Sequence, residues 1–299
     1  MKGRKGRYYL GRVVKSGCMD QDKLIEALRN PVVVEKGKYK WTIVDIQEGI
    51  VGKSSYVFGN LAKYEDTGTV PIVEETERAQ YELPVPGLLV AKSPFVYFRD
   101  FSGIAYMHVW NSIEEQAFRR RFARIACKKY DDFFVDCAIE AITDLRTFVN
   151  KVESLNVIFE IKARVQPPNP LFGICWKPLH DYITERNATS VSVKEESSPD
   201  KGGLKTQLQE IIRKVLREEF STLLKPSMTD AALLMATDGY GRGQVVGVDA
   251  DNAQVVVRTS DTQKSFLFEK EPVAQSLAEH VYQMLEHVSL ERKMSHAGN

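Results

Sequence analysis

The chain of 299 residues has no long apolar run, no close pair of cysteines and almost no net charge. No apolar run approaches the roughly 20 residues that a membrane-spanning helix needs, so we expect a soluble protein. The four cysteines lie far apart, without the C-x-x-C pair of many zinc sites, which indicates free thiols in a reducing cytoplasm. A strand-like segment follows the basic start of the chain, which is not the pattern of a signal peptide. We therefore expect a cytoplasmic location.

Several catalytic signatures are also missing from the sequence. The five histidines show no metal-ligand spacing such as H-x-x-x-H. No G-x-S-x-G motif of a serine hydrolase occurs, and no Gly-Lys-Ser/Thr motif of a P-loop follows the glycines. These absences favour a binding protein over an enzyme, with no metal and no cofactor.

The most informative feature that is present is a cluster of cations in residues 118–129. Six of these twelve residues are Arg or Lys, although the net charge of the whole chain is only +1. Helical spacing places Phe118, Phe122 and Ile125 on one side, which predicts a helix with buried aromatics and a cationic ridge. Such a ridge suits nucleic-acid phosphates, because bound cations release condensed counterions. The predicted contacts are Arg119, Arg120, Arg121, Arg124, Lys128 and Lys129.

Two other readings of this cluster remain open at this stage. The cations could form an ordinary solvated face, or they could pair with the acidic residues that follow in the chain. Asp131, Asp132 and Asp136 are the nearest of these acids.

Two further segments add cations to the predicted interface. The first fifteen residues contain no acid, and Lys2, Arg4, Lys5 and Arg7 are predicted to form a basic arm. Residues 238–244 are rich in glycine and contain Arg242. We interpret them as a flexible hairpin loop in which Arg242 adds a phosphate contact, since a phosphate cradle would need a helix after the glycines.

An alternative function is a metal-dependent nuclease. Glu160 and Lys162 are two residues apart on a predicted strand, so both side chains lie on one face, as in the E-x-K half of a PD-(D/E)-x-K site. Asp136 on a neighbouring strand would complete a site for Mg²⁺. The same spacing also arises by chance on the polar face of a half-exposed strand.

The pattern of elements predicts an α+β fold, with β-rich segments at both ends around an alternating α/β middle. We predict a β-rich domain of residues 1–111 and 227–299, and an inserted α/β domain of residues 112–226. Residues 67–80 are predicted as a loop, 231–236 as a strand and 204–224 as a helix. Ser112 and Glu115 have the spacing of a capping box. A long helix over 273–292 ends the chain and is a candidate dimer element.

The order of elements from Ser93 onward resembles the RexA phage-exclusion family of temperate phages. The resemblance covers roughly residues 90–190 and includes the segments 93–98, 103–106, 135–141 and 154–162, with a helix carrying Phe118 and Phe122 between them. It implies a prophage- or bacterium-encoded abortive-infection or phage-defence protein that binds DNA as a homodimer. We further predict double-stranded DNA as the ligand and a membrane or effector protein as a partner. It supplies no catalytic residues. The third reading, from the residues alone, is a protein-interaction module without nucleic-acid binding.

Overall fold

The computed structural model describes residues 4–74, 76, 79–168, 171–198, 201–220 and 225–296. The helices are α1 (Gln21–Arg29), α2 (Glu115–Lys128), α3 (Leu145–Glu153), α4 (Lys177–Glu185), α5 (Leu208–Leu216), α6 (Met228–Met235) and α7 (Ala274–Glu291). The strands are β1 (Lys5–Gly17), β2 (Val34–Lys36), β3 (Tyr39–Val51), β4 (Ser54–Glu74), β5 (Ala79–Phe98), β6 (Gly103–Met107), β7 (Val135–Ala141), β8 (Val157–Val165), β9 (Leu171–Gly173), β10 (Val191–Glu196), β11 (Gly241–Val248), β12 (Gln254–Arg258), β13 (Ser265–Glu269) and β14 (Met294–His296). This content confirms the predicted α+β class.

A large antiparallel sheet is built around β1. Its strand order is β13-β1-β6-β5-β4-β3-β2, and β7 joins it along β1. Because β1 is 13 residues long, one of its edges serves two partners: residues 5–9 pair with β13, and residues 11–17 pair with β7. The other edge pairs with β6. The first strand therefore draws together segments from the start, middle and end of the chain.

Helices cover both faces of this large sheet. Phe118, Phe122 and Ile125 of α2 are fully buried against one face, as their helical spacing predicts. Leu277 and Val281 of α7 are fully buried against the other face. The apolar stripe of α7 is thus used inside the chain and is not available for the expected dimer contact. The homodimer itself stays a prediction.

A second antiparallel sheet has four strands in the order β10-β8-β11-β12. Ile161, Ala163 and Val165 of β8 share a core with α3, α5 and α6, while Lys162 and Arg164 alternate with them and are exposed.

The predicted domain limits near residues 112 and 226 do not coincide with a change of sheet. α2 and β7, from the segment predicted as inserted, lie with the large sheet, because β1 recruits β7. β11 and β12, from the segment predicted as outer, lie in the small sheet. The division into separate domains stays a prediction.

Of the acidic segment 67–80, predicted as a loop, residues 67–74 and 79–80 form part of a long β-hairpin instead, and residues 75, 77 and 78 lie outside the described residues. β4 and β5 pair continuously outward, with Thr67 opposite Pro86 and Pro71 opposite Glu82. Beyond Glu65, β5 is the only strand paired with β4 among the described residues. Prolines are tolerated there because each strand has a free edge, where a missing N–H leaves no ladder bond unmade. The loop prediction is therefore wrong.

Residues 231–244 also fold differently from the prediction. Residues 231–235 belong to α6 and not to a strand, and they are buried on every side, so no amphipathic period marks the helix. A π-helical turn (Ala236–Tyr240) follows, and β11 begins at Gly241. Residues 238–244 are thus a buried turn and a strand, not a flexible loop. The glycines allow close packing, since a Cβ at Gly243 would clash with Leu233.

Two helix limits also differ from their predictions. α5 covers only Leu208–Leu216 of the helix predicted over 204–224, whose residues 221–224 lie outside the described part of the chain. α2 has Glu114 at its N-cap and no capping side chain. Ser112 instead belongs to a tight turn closed by the bridge between Val109 and Ile113, so the predicted capping box does not form.

A buried ion pair connects the two sheets. Asp238 Oδ1 accepts a hydrogen bond from Arg292 Nη1 at 2.5 Å, and Asp238 Oδ2 accepts one from Trp176 Nε1 at 2.7 Å. Arg12 of β1 donates its Nε to the carbonyl oxygen of Asp238 at 2.7 Å. Arg292, which follows α7, also donates to the carbonyl oxygen of Thr143. The Asp238 and Arg292 side chains are only 7% and 3% exposed.

We expect Asp238→Asn to destabilise the fold strongly. The change keeps the size of the side chain but leaves the buried guanidinium of Arg292 without a counter-charge, which typically costs about 3–5 kcal/mol. Urea unfolding of both proteins measures the difference. Glu48→Gln, which removes the exposed ion pair with Arg29, is the matched control and should change stability far less. Similar losses for the two variants would contradict a structural role for the buried pair.

Candidate nucleic-acid interface

A cleft of about 700 Å³ lies between α2, β7 and the outer face of the small sheet. Six cationic and two acidic side chains line it, a formal excess of four positive charges in a chain of net charge +1. The charged lining residues are Arg119, Arg120, Lys162, Arg164, Arg242, Arg258, Glu115 and Glu140. We call this feature the cationic cleft.

The sheet side of the cationic cleft is formed by cross-strand neighbours. Arg164 of β8 is directly opposite Arg242 of β11, and Lys162 is opposite Gln244, which is in turn opposite Arg258 of β12. Directly opposite residues of antiparallel strands share a face, so these side chains form two adjacent rows. Like charges in such pairs repel each other. The sheet therefore carries an arrangement that its own stability does not favour and that an anion would relieve.

The helix side contributes two arginines with different roles. Arg119 donates Nε to the Tyr106 hydroxyl at 2.7 Å and Nη2 to Gln263 Oε1 at 2.5 Å, and it also pairs with Glu115. Although burial opposes its charge, Tyr106 and Glu115 raise the pKa of Arg119 above its ordinary value. Arg120 is exposed and is held by Gln116 at 2.9 Å. Arg119 thus fixes the helix to the large sheet, and Arg120 is free to meet a ligand.

The other cations of α2 do not line the cationic cleft, although Arg120, Arg124 and Lys128 are exposed on one side of the helix, as the predicted ridge requires. The Arg121 guanidinium lies over the Trp41 ring at 5.6 Å, and burial there lowers its pKa. Arg124 pairs with Asp132 at 2.5 Å, as the alternative reading allowed. Lys128 is exposed and lines a different cavity with Arg124, and Lys129 is half-buried. A helix packed between two neighbours divides its cations between both sides.

The predicted N-terminal arm is in fact the beginning of β1. Lys5 and Arg7 are exposed residues of this strand, Arg4 directly precedes it, and Lys2 lies outside the described residues. Arg7 Nη1 donates to Ser265 Oγ at 3.1 Å. The arm prediction is therefore wrong for Lys5 and Arg7, because their backbone pairs with β13.

Two of the predicted nuclease residues, Glu160 and Lys162, share one face of β8 as predicted, whereas Asp136 lies on β7. Glu160 accepts hydrogen bonds from Gln244 Nε2 at 2.9 Å and Lys194 Nζ at 3.0 Å, which hold the pKa of its carboxyl below the ordinary value. Asp136 lies in the large sheet opposite Ser16, while Lys162 lines the cationic cleft. Within the described ranges, no group of three or more His, Cys, Asp or Glu side chains is placed to hold a metal ion.

Sequence reasoning found Arg119, Arg120 and Arg242 but missed Arg164 and Arg258. A signal for Arg164 was present, because it follows Lys162 by two residues on the same strand and must share its face. The meeting of β8 with β11 and β12 could not be read from the sequence, since these strands are separated by about 80 residues or more of chain.

Comparisons with known proteins yield no match, either to a protein-family model or to a curated protein. Of the helices in the described part of the chain, none is long and apolar enough to cross a membrane. The resemblance to the phage-exclusion family consequently stays a prediction.

A separate buried cluster surrounds Lys15 of β1. Lys15 Nζ donates to Ser102 Oγ at 2.7 Å, and burial lowers the pKa of the amine to about 8. Burial also raises the pKa of the neighbouring Tyr97 above its ordinary value. A serine and a lysine at this distance could form a nucleophile and its base. Ser102 is fully buried, however, so a substrate has no access to it, and we interpret the cluster as structural.

The Lys15 amine should make stability depend on pH. Its folded-state pKa of about 8 is below the ordinary 10.5, so between these values the unfolded state binds more protons and stability rises with pH. The cost of the buried charge is complete below pH 8 and is on the order of 3 kcal/mol. Urea unfolding of wild type and of Lys15→Met from about pH 7 to about pH 10 should show that the difference between their free energies of unfolding shrinks as the pH rises. Lys53→Met, at an exposed turn, should parallel wild type, and parallel curves for Lys15→Met would contradict the assignment.

Proposed function

We propose that this protein binds nucleic acid through backbone phosphates, with little sequence preference, and that the cationic cleft is the binding site. The observation that carries the proposal is the position of Arg164 directly opposite Arg242 and beside Lys162, on a sheet face that Arg120 approaches from the opposite side. Like-charge neighbours are expensive to hold together unless an anion compensates them. A nucleic-acid strand supplies one phosphate charge per nucleotide.

The acidic groups in the cleft leave this charge largely intact. Glu140 accepts hydrogen bonds with both carboxylate oxygens from Arg242 Nε at 3.0 Å, while 77% of the Arg242 side chain stays exposed. Glu115 is occupied by Arg119. Among the described residues, Arg120, Lys162 and Arg164 have no carboxylate partner. These three side chains are the best phosphate contacts that the cleft offers.

The contacts favour phosphates over bases. Arginine and lysine dominate the lining, and both are the usual partners of phosphate oxygens. Gln244 is the lining amide best placed to read a base edge, but its Nε2 already donates to Glu160. A weak sequence preference and a steep dependence on salt follow from this composition.

Reversing the three unpaired charges should abolish binding. We expect Arg120→Glu, Lys162→Glu and Arg164→Glu in one chain to lower the affinity for a labelled oligonucleotide at least about 100-fold, because the phosphate contacts become repulsive. Fluorescence anisotropy from about 50 mM to about 200 mM NaCl measures both the affinity and its salt slope.

The matched control reverses three exposed lysines outside the cleft, Lys36, Lys53 and Lys151, and so changes the net charge equally. This variant should bind almost as wild type does. Equal losses in the two triple variants would show that total charge, and not the cleft, determines binding. Absence of binding by wild type would contradict the proposal and favour an acidic protein partner.

The resemblance adds a cellular role to the proposal, namely exclusion of infecting phage. If this role depends on the cleft, cells that produce the wild-type chain should reduce phage plating, and cells that produce the cleft triple variant should not. Plating efficiency, with equal protein levels verified, is the measurement. Protection by the cleft variant equal to wild type would separate the defence role from nucleic-acid binding.

A further inference from the structure

Trp110 is an exposed tryptophan in the turn that precedes α2, whose first residue, Glu115, lines the cationic cleft. Its side chain is 76% exposed, whereas Trp41 and Trp176 are 5% and 0% exposed. It occupies the tight turn between Val109 and Ile113 and contacts the His108 ring edge-to-face, with centroids 4.5 Å apart. A large ring that is held in place yet left in solvent can receive another planar group.

The position of Trp110 is fixed by the first turn of α2. Only Ile113 and Glu114 separate the turn from Glu115, which lines the cleft. His108 lies two residues beyond Tyr106, whose hydroxyl binds Arg119. Only residues 111–114 therefore connect Trp110 with the end of the cleft where α2 begins.

Two exposed phenylalanines lie at the opposite end. Ala123 and Cys137 form this end, with the Cys137 Sγ 3.9 Å from the Ala123 carbonyl oxygen. Phe133 and Phe134 directly precede β7 and are 73% and 71% exposed, with ring centroids 4.6 Å apart. Short segments of chain thus connect exposed aromatic side chains with both ends of the cationic cleft.

The length of the cleft matches a short stretch of one strand. Residues 137–141 of β7 line it, which corresponds to about 13 Å at roughly 3.3 Å per residue. At about 3.4 Å per stacked nucleotide, this length accommodates about four nucleotides.

The walls of the cleft disfavour a duplex. A helix that reads duplex DNA must enter the major groove with its contact face uncovered. Here the side of α2 that carries Arg120 faces β8 and β11 across the cleft, so a groove cannot receive it. A single strand needs access only between the two walls, and it presents bases that can stack on aromatic rings.

We propose that the ligand of the cationic cleft is single-stranded nucleic acid, with phosphates on Arg120, Lys162 and Arg164 and bases stacked on Trp110 and on Phe133 or Phe134. This inference rests on the proposed function and narrows its ligand from the predicted double-stranded DNA to one strand.

The first experiment compares two probes on the wild-type chain. A labelled oligothymidine of about 12 nucleotides and a duplex of the same length are titrated by anisotropy at equal salt. We expect tighter binding of the single strand. Tryptophan emission is recorded in the same titration and should be quenched, because Trp110 is the exposed indole while Trp41 and Trp176 are buried.

The second experiment removes the stacking surfaces. Trp110→Ala should weaken oligothymidine binding about fivefold to about 100-fold, because the loss of one base–aromatic stack lowers affinity by about this factor. The double variant Phe133→Ala with Phe134→Ala should have a similar effect. The salt slope should not change, because the phosphate contacts remain. Ile50→Ala, at an equally exposed apolar residue distant in sequence from the cleft, is the control and should bind as wild type.

Each outcome decides between the proposals. Duplex binding as tight as single-strand binding, without emission quenching and without an effect of Trp110→Ala, would overturn the single-strand inference and leave phosphate binding by the cleft intact. Failure of both probes to bind would overturn the proposed function as well. The emission signal comes from the wild-type chain, so the inference is testable even if a variant folds poorly.

Discussion

The buried pair of Asp238 and Arg292 is the interaction on which the arrangement of the two sheets depends. Arg292 comes from the segment after α7, Asp238 from the turn that feeds β11, and Arg12 from β1 binds the same turn. A buried charge pair of this kind adds little net stability compared with apolar packing. An arrangement that leaves one of the two charges buried without the other is, however, strongly unfavourable. The pair therefore acts chiefly on the geometry. The cationic cleft has one wall on each of the two sheets that this contact connects.

The charged side chains of the cleft fall into two groups, those that are paired within its walls and those that have no carboxylate partner among the described residues. Arg119 and Glu115 are both consumed in fixing α2, and Glu140 anchors Arg242 between β7 and β11. These paired charges stabilise the walls. The unpaired cations between them oppose folding by mutual repulsion, and only an anion makes their proximity favourable. A net charge close to zero does not weaken this local field, because a cleft with low-dielectric walls concentrates the potential of its nearest charges.

The sequence was informative where local periodicity decides the structure. The buried side of α2, the alternation of β8 and the α+β class all follow from spacing, and each is found. The prediction of secondary structure failed for elements that are buried on every side and for elements that are largely exposed. α6 is buried on every side and has no period to detect, and the outer hairpin carries prolines that only a ribbon with two free edges tolerates. In the site, Arg164 became the neighbour of Arg242 through the pairing of β8 with β11, which no local pattern contains.

The division of the α2 cations shows why a helical projection alone cannot define an interface. A projection places Arg119 and Arg121 on opposite flanks of the buried side and Arg120 and Arg124 on the solvent side, but it does not show what each flank contacts. In the fold, α2 has a sheet beneath it, the cleft on one flank and the β2–β3 edge on the other. Consecutive arginines are about 100° apart. Arg119 and Arg120 therefore reach the cleft, while Arg121 turns onto Trp41. The same angular step that makes the helix amphipathic thus distributes its cations over three environments.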